Sequence, residues 1–339
     1  MKKLALASLA ASFLSLATAD DLYVDCGDPL AADDAAEGRG SSDLPYRTIQ
    51  AAVDAAVRDD AVGTIWVRPG VYADGSSASS ADACNPNQQN RVVLKKRLRL
   101  VSTAGAGRTE IRGRFGDPAN AHLGAETVRA LLVEPAAAGS IVEGFTLGCG
   151  ATRHDKGTNR ATNPDRGGGF YAPGGDCYLV DSVVTNCFAA FGGGVGGTAV
   201  RCLVKSCGGP FWNSASVDAA NLWNCVVVHD YYRSSSAGSQ KSLAYVTNVN
   251  CTVVNNNLNY ADFLDCKSYN LLSVAFAPQS GKEEVSGESH GCIYRKGGRR
   301  TACSPGWSRT TRQTTQCSFA RSEDPTRRFL SRKSRGKIT

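Results

Sequence analysis

The chain has 339 residues, 42% of them hydrophobic and 20% charged, which excludes disordered and fibrous classes and leaves room for one large β domain or two ordinary ones. Its 38 basic and 31 acidic side chains sum to +7, but residues 1–281 hold 24 and 26 (net −2) while residues 282–339 hold 14 and 5 (net +9). The basicity belongs to the last stretch, so the body is excluded as a nucleic-acid binder.

In chain order, residues 1–19 read as a secretory signal peptide. Lys2 and Lys3 open it, an apolar run from Leu4 to Leu16 follows, and Ala17-Thr18-Ala19 supplies the small-residue cleavage site. The expected mature chain begins near Asp20 and is secreted, cell-surface or periplasmic. No later stretch is long and apolar enough to be a membrane span. Next comes a strand-like Leu22-Tyr23-Val24-Asp25, and Ile49, Val53 and Ala56 then fall on one helical face. Short aliphatic runs recur at 63–72, 92–95, 98–102, 109–113 and 141–147. Gly167-Gly168-Gly169 and Gly192-Gly193-Gly194 mark tight bends where the backbone needs positive φ.

From Cys177 the chain repeats. Cys177, Cys202, Cys225 and Cys251 are separated by 25, 23 and 26 residues, and Leu179, Val204, Val227 and Val253 each follow two positions later. That offset puts Cys and aliphatic on one strand face. Asp176, Asn224 and Asn250 precede three of the four cysteines, and Asx residues tolerate a left-handed turn. The next copy starts at Asp265-Cys266 or at Asn270-Leu271. One short strand per copy at this period predicts an all-β solenoid, with Cys columns as core filler. The 13 cysteines are an odd number, and no CxxC pair or Cys/His cluster of zinc spacing occurs.

The stretches Tyr23-Val24-Asp25, Pro45-Tyr46-Arg47-Thr48-Ile49-Gln50-Ala51-Ala52-Val53-Asp54-Ala55-Ala56 and Val67-Arg68-Pro69-Gly70-Val71-Tyr72 resemble the opening of secreted right-handed parallel β-helix proteins of the pectin-lyase-like superfamily. Ile141-Val142-Glu143-Gly144-Phe145-Thr146-Leu147 looks like a coil of that family. The two Gly-Gly-Gly turns resemble those of polymorphic outer-membrane proteins. The resemblance covers about residues 22–280 and implies a right-handed parallel β-helix with an N-terminal capping helix; it is carried by cap, turn and core residues, which do not specify an activity.

Candidate chemistry clusters in two places. The insertion Arg153, His154, Asp155, Lys156, Asp165 and Arg166 is expected to project over a lateral face. Its cations suit acidic sugars, Lys156 and Arg166 are the candidate catalytic bases of a lyase, and Asp155 with Asp165 is the candidate Ca2+ site. The second patch is Tyr231-Tyr232-Arg233 after His229-Asp230, with ring faces for sugar stacking. Phe211-Trp212 is a further stacking candidate, and His122 and His290 have no evident partner. No paired-acid or Ser-His-Asp spacing stands out, and no other cofactor is expected.

From residue 282 the repeat gives way to Arg, Ser, Thr and Gly, a composition that reads as disordered. It is either a basic arm for anionic glycans or an out-of-frame extension replacing the last coil. The organisation expected is therefore signal peptide (1–19), β-helix (20–281) and tail (282–339). The favoured function is an exported noncatalytic protein engaging glycans or partner proteins along its lateral face. The alternative is a polysaccharide lyase on uronate-containing chains. Nothing in the sequence fixes an oligomeric state.

Overall fold

The computed structural model describes residues 20–79, 87–120, 122–153, 165–174, 176–209, 215–229, 241–255, 263–275, 285–296 and 299–302. Its strands pair in parallel with their equivalents one turn later and build the three faces of a right-handed parallel β-helix. Face one stacks Gln89–Leu94, Val128–Val133, Phe170–Tyr171, Val195–Gly196, Ala215–Asp218 and Lys241–Ala244. Face two stacks Asp20–Val24, Val62–Val67, Arg99–Ser102, Ile141–Glu143, Tyr178–Val180, Thr198–Val200, Asn221–Trp223 and Thr247–Val249. Face three runs from Gly70–Tyr72 through Thr109–Arg112, Thr146–Gly148, Val183–Thr185, Leu203–Lys205, Val226–His229 and Thr252–Asn255 to Leu272–Ala275. The strand Phe263–Tyr269 pairs with Lys241–Ala244 on face one and with Thr247–Val249 on face two, and so joins the two faces into a single sheet.

The first coil needs a lid, because its strands would otherwise end in unpaired backbone groups. The helix Ile49–Arg58 provides it. Thr48 caps its N-terminus by accepting from Ala51 N at 3.3 Å, and Ile49, Ala52, Val53 and Ala56 are buried on the core. Gln50 Oε1 accepts from Val93 N at 2.7 Å, tying the helix to face one.

The corner between faces two and three is the most regular part. From Gly144-Phe145 onward each coil turns there through two residues, the first left-handed and the second pointing inward. Stacked left-handed residues are Gly144, Asp181, Arg201, Asn224, Asn250, Asn270 and Gly291, with φ between +47° and +78°. Gly, Asn and Asp take this conformation at little cost, which is why the turns fall at them. The inward column beside it is Phe145, Ser182, Cys202, Cys225, Cys251, Leu271 and Cys292, none more than 3% exposed. Cys202 N donates to Cys225 Sγ and Cys225 N to Cys251 Sγ, each at 3.4 Å. All ten described cysteines are free and eight are buried, so within the described residues Cys is core filler.

Two expectations are corrected and one open choice is decided. Cys177 does not share the column of Cys202, Cys225 and Cys251. It stacks one corner earlier, between faces one and two, in register with Ser140, Ala220, Val246 and Cys266. That corner also turns through a left-handed residue in the later coils (Ala219, Tyr245, Asp265), so both corners present similar strings at similar spacing. The copy after Cys251 begins at Asn270-Leu271, since Thr252 pairs with Leu272. The ladder also runs past residue 281. Val285–His290 pairs with Phe263–Tyr269 and Ile293–Lys296 with Leu272–Ala275, after which Arg299–Ala302 folds back antiparallel. Cys292, 1% exposed, supplies the inward residue there.

Candidate functional site

Connection lengths single out one corner. From 144–145 onward, every turn from face two to face three is two residues long. The connections from face three back to face one instead span 73–88, 113–127, 149–169, 186–194, 206–214, 230–240, 256–262 and 276–284. Long connections on a rigid scaffold are where binding residues collect. Both polar patches of the sequence depart from this corner: 149–169 follows Thr146–Gly148, and 230–240 follows Val226–His229. Those two strands are three rungs apart, about 14 Å at the parallel-strand spacing. His154, Asp155, Lys156, Tyr231, Tyr232, Arg233, Phe211 and Trp212 lie outside the described residues.

The described members of the first patch flank face one. Arg153 donates from its backbone N to Gln88 Oε1 at 2.6 Å, and Gln88, fully buried, also donates to Ala151 O at 3.3 Å. Asp165 is 1% exposed, and its carbonyl accepts from Phe191 N. Arg166 Nε donates at 2.9 Å to Asp218 Oδ1, a carboxylate with no solvent exposure in the strand Ala215–Asp218. The pair fixes the orientation of the Arg166 guanidinium beside face one.

Around this pair the outer surface of face one holds residues that the sequence reading missed. Arg129, 1% exposed, donates from Nε to Gly167 O at 3.0 Å and from its two terminal nitrogens to Asn90 Oδ1 at 2.8 Å and Arg166 O at 3.3 Å. Its guanidinium carbon stands 4.9 Å from the centroid of the Tyr171 ring, which packs with Val93 and Leu132. Arg129 interrupts an otherwise aliphatic strand, and that break in the pattern was the available signal. The glycines that bring residues 165–169 onto this face are required sterically: a Cβ on Gly193 would run into Gly208 O, and Gly167 holds φ +60°.

Of the two isolated histidines, His122 lies between Phe115 and Phe188, with centroids 4.9 and 5.0 Å away. His290 stacks flat on Tyr269 at 5.2 Å and contacts Glu288 at 2.8 Å, which holds the Glu288 carboxyl below its usual range. Among the described residues, no three Asp, Glu, His or Cys side chains gather as a metal site. The proposed partner of Asp165 there, Asp155, lies outside them.

No family model matches the chain, and no curated protein matches it. A solved structure, the catalytic domain of a GH87 alpha-1,3-glucanase variant in complex with tetrasaccharides, is similar at 13% identity with a TM-score of 0.33. The match covers 73% of this chain and 40% of that one, so the chain spans about two fifths of that protein's length. The fold assignment rests on the strand ladders themselves.

Proposed function

We propose that this chain is an exported, noncatalytic β-helix protein of the pectin-lyase-like kind that engages glycans or partner proteins along its lateral face. The observation that carries the reading is the gathering of the long connections at one corner, beside an outer face where Arg129, Arg166 and Tyr171 are locked in place. The charges described there are committed to one another and to backbone carbonyls, which suits a rigid recognition surface. Arg129 and Tyr171 are buried and keep the face rigid, while the partly exposed Arg166 guanidinium suits a sugar carboxylate. In this reading the stretch from residue 303 onward is the basic arm, adding long-range attraction to anionic chains.

The rival reading, a lyase on uronate-containing polysaccharide, has one specific observation in its favour. The connection 149–169, which leaves that corner, contains both Lys156 and Arg166. A panel of pectate, alginate and glycosaminoglycans, followed both by binding calorimetry and by ultraviolet absorbance of unsaturated product, separates the two. Binding without absorbance growth is the expected result. Turnover that disappears in Lys156→Ala would overturn the noncatalytic reading.

A further inference from the structure

Face three ends in a two-stranded ribbon whose charges are all of one sign. Ile293–Lys296 pairs in parallel with Leu272–Ala275 on one side and antiparallel with Arg299–Ala302 on the other. The antiparallel register sets Arg295 opposite Arg300 and Lys296 opposite Arg299. Directly opposed positions have Cβ atoms about 5 Å apart, and like charges there work against pairing. Four cations therefore fall together within residues 295–300.

Nothing in the paired strands or the nearby sequence neutralises them. Leu272–Ala275 reads Leu-Ser-Val-Ala, and Thr252–Asn255 one rung further in reads Thr-Val-Val-Asn. No Asp or Glu occurs anywhere in residues 289–322. Glu288, just before that stretch, stands on face two and is engaged by His290 at 2.8 Å. Charge on an edge strand can also serve to repel stray strand pairing. Guarding an edge needs cations on the outer strand alone, however. Here the inner strand matches them position for position, at a cost to the ribbon itself.

We infer that this ribbon is a binding site for a sulfated polysaccharide, whose sulfate groups bring the missing negative charge to the two opposed pairs. Three of the four cations are arginines, whose planar fork takes two oxygens of one anionic group. A chain sulfated on most of its sugars delivers several charges to so short a span, where a uronate chain delivers one per sugar. The choice of a glycan rests on the exported, glycan-engaging reading above. The ribbon points the same way, since Tyr294 is its single aromatic and single-stranded nucleic-acid sites are built on several stacking rings. The site lies on the last rung of face three, away from the Arg166–Asp218 pair.

Fluorescence anisotropy of labelled dextran sulfate, titrated with the intact chain over a salt series, tests it. Saturable binding that weakens as salt rises is expected. Arg295→Ser with Arg300→Ser is expected to weaken it on the order of tenfold. Arg309→Ser with Arg312→Ser removes the same charge outside the ribbon and is expected to cost about twofold or less. Equal losses in the two double variants would mean diffuse attraction and overturn the inference. Arg300→Glu sets an acid opposite Arg295, so it is expected to raise the melting midpoint of the free chain while losing the ligand. A lowered midpoint with binding retained overturns the inference, as does no binding of dextran sulfate by the parent. Tighter binding of pectate or of a DNA oligonucleotide than of dextran sulfate overturns it as well. All these variants leave face one intact, so a failure of pectate and alginate to bind there counts against the lateral-face reading and leaves the dextran sulfate result standing.

Discussion

Arg166 and Asp218 meet across two coils, 52 residues apart in sequence, with Nε 2.9 Å from a carboxylate oxygen that has no solvent exposure. The pair clamps the end of the connection 149–169 onto face one. Removing the arginine takes from a buried carboxylate its paired guanidinium. Arg166→Ala is therefore expected to destabilise the fold by about 3 kcal/mol, whereas Asp218→Asn, which removes the charge and keeps the shape, is expected to cost less. Denaturant unfolding of the two variants checks the ordering; equal, negligible effects would mean that the pair is not a clamp.

Arg201 sits in the left-handed turn column where its neighbours are Gly, Asn and Asp, and it grips Asp181 one rung away at 2.7 and 2.6 Å. The hydrogen bonds from Arg201 hold the Asp181 carboxyl below its usual value. A depressed carboxyl contributes stability above its unfolded pKa, near 3.9, and loses it as pH falls through the folded value. Arg201→Asn is expected to fold as well as the parent at neutral pH, since Asn takes a left-handed turn readily. Below about pH 4 its thermal midpoint is expected to fall less steeply than the parent's, which a pH series of melting curves would show.

Several buried thiols are pushed above the ordinary thiol range. Burial pushes Cys177 to about 11 and Cys266 to about 12, and the neighbouring Cys202 thiol, chiefly, takes Cys225 to about 12. Cys202 moves the opposite way through its hydrogen bond with Cys225. A raised thiol keeps its stabilising contribution below the unfolded value near 8.5 and loses it as pH climbs toward 11–12. Stability is therefore expected to be flat from pH 6 to 8 and to decline above about 8.5. In the same range these cysteines are expected to resist a thiol reagent until denaturant is added; rapid labelling of the native chain at pH 8 would contradict the burial.

Toward the last coils the core column of face two, Leu179, Ala199 and Leu222, turns polar at Asn248 and Ser268. Asn248 Nδ2 donates to Ser268 Oγ at 2.9 Å, but its buried Oδ1 has no partner among the described residues. Replacing both residues together, Asn248→Leu with Ser268→Ala, is expected to stabilise the chain by about 1 kcal/mol by removing that unpaired oxygen. Ser268→Ala alone is expected to destabilise by a similar amount. A double-mutant cycle in urea would reveal either sign.

Much of the fold was legible in the chain because a solenoid is local. Cap helix, turn and rung are each specified by a few adjacent residues, as with Ile49, Val53 and Ala56 or with Asn224-Cys225-Val226-Val227. The sequence by itself therefore determined the class of fold and the existence of the repeat. What it left ambiguous was phase. Two corners of the same coil use a left-handed residue followed by a small inward one, so Cys177 was placed one corner late, and only the pairing of Tyr178 with Ile141 resolves it. The candidate site was half legible: the polar run holding Arg153, Asp165 and Arg166 was visible, while Arg129, Tyr171 and Asp218 were hidden inside strands. Only the tertiary structure decided that they meet, because stacking joins residues a whole coil or more apart and no local pattern records which coil lies above which.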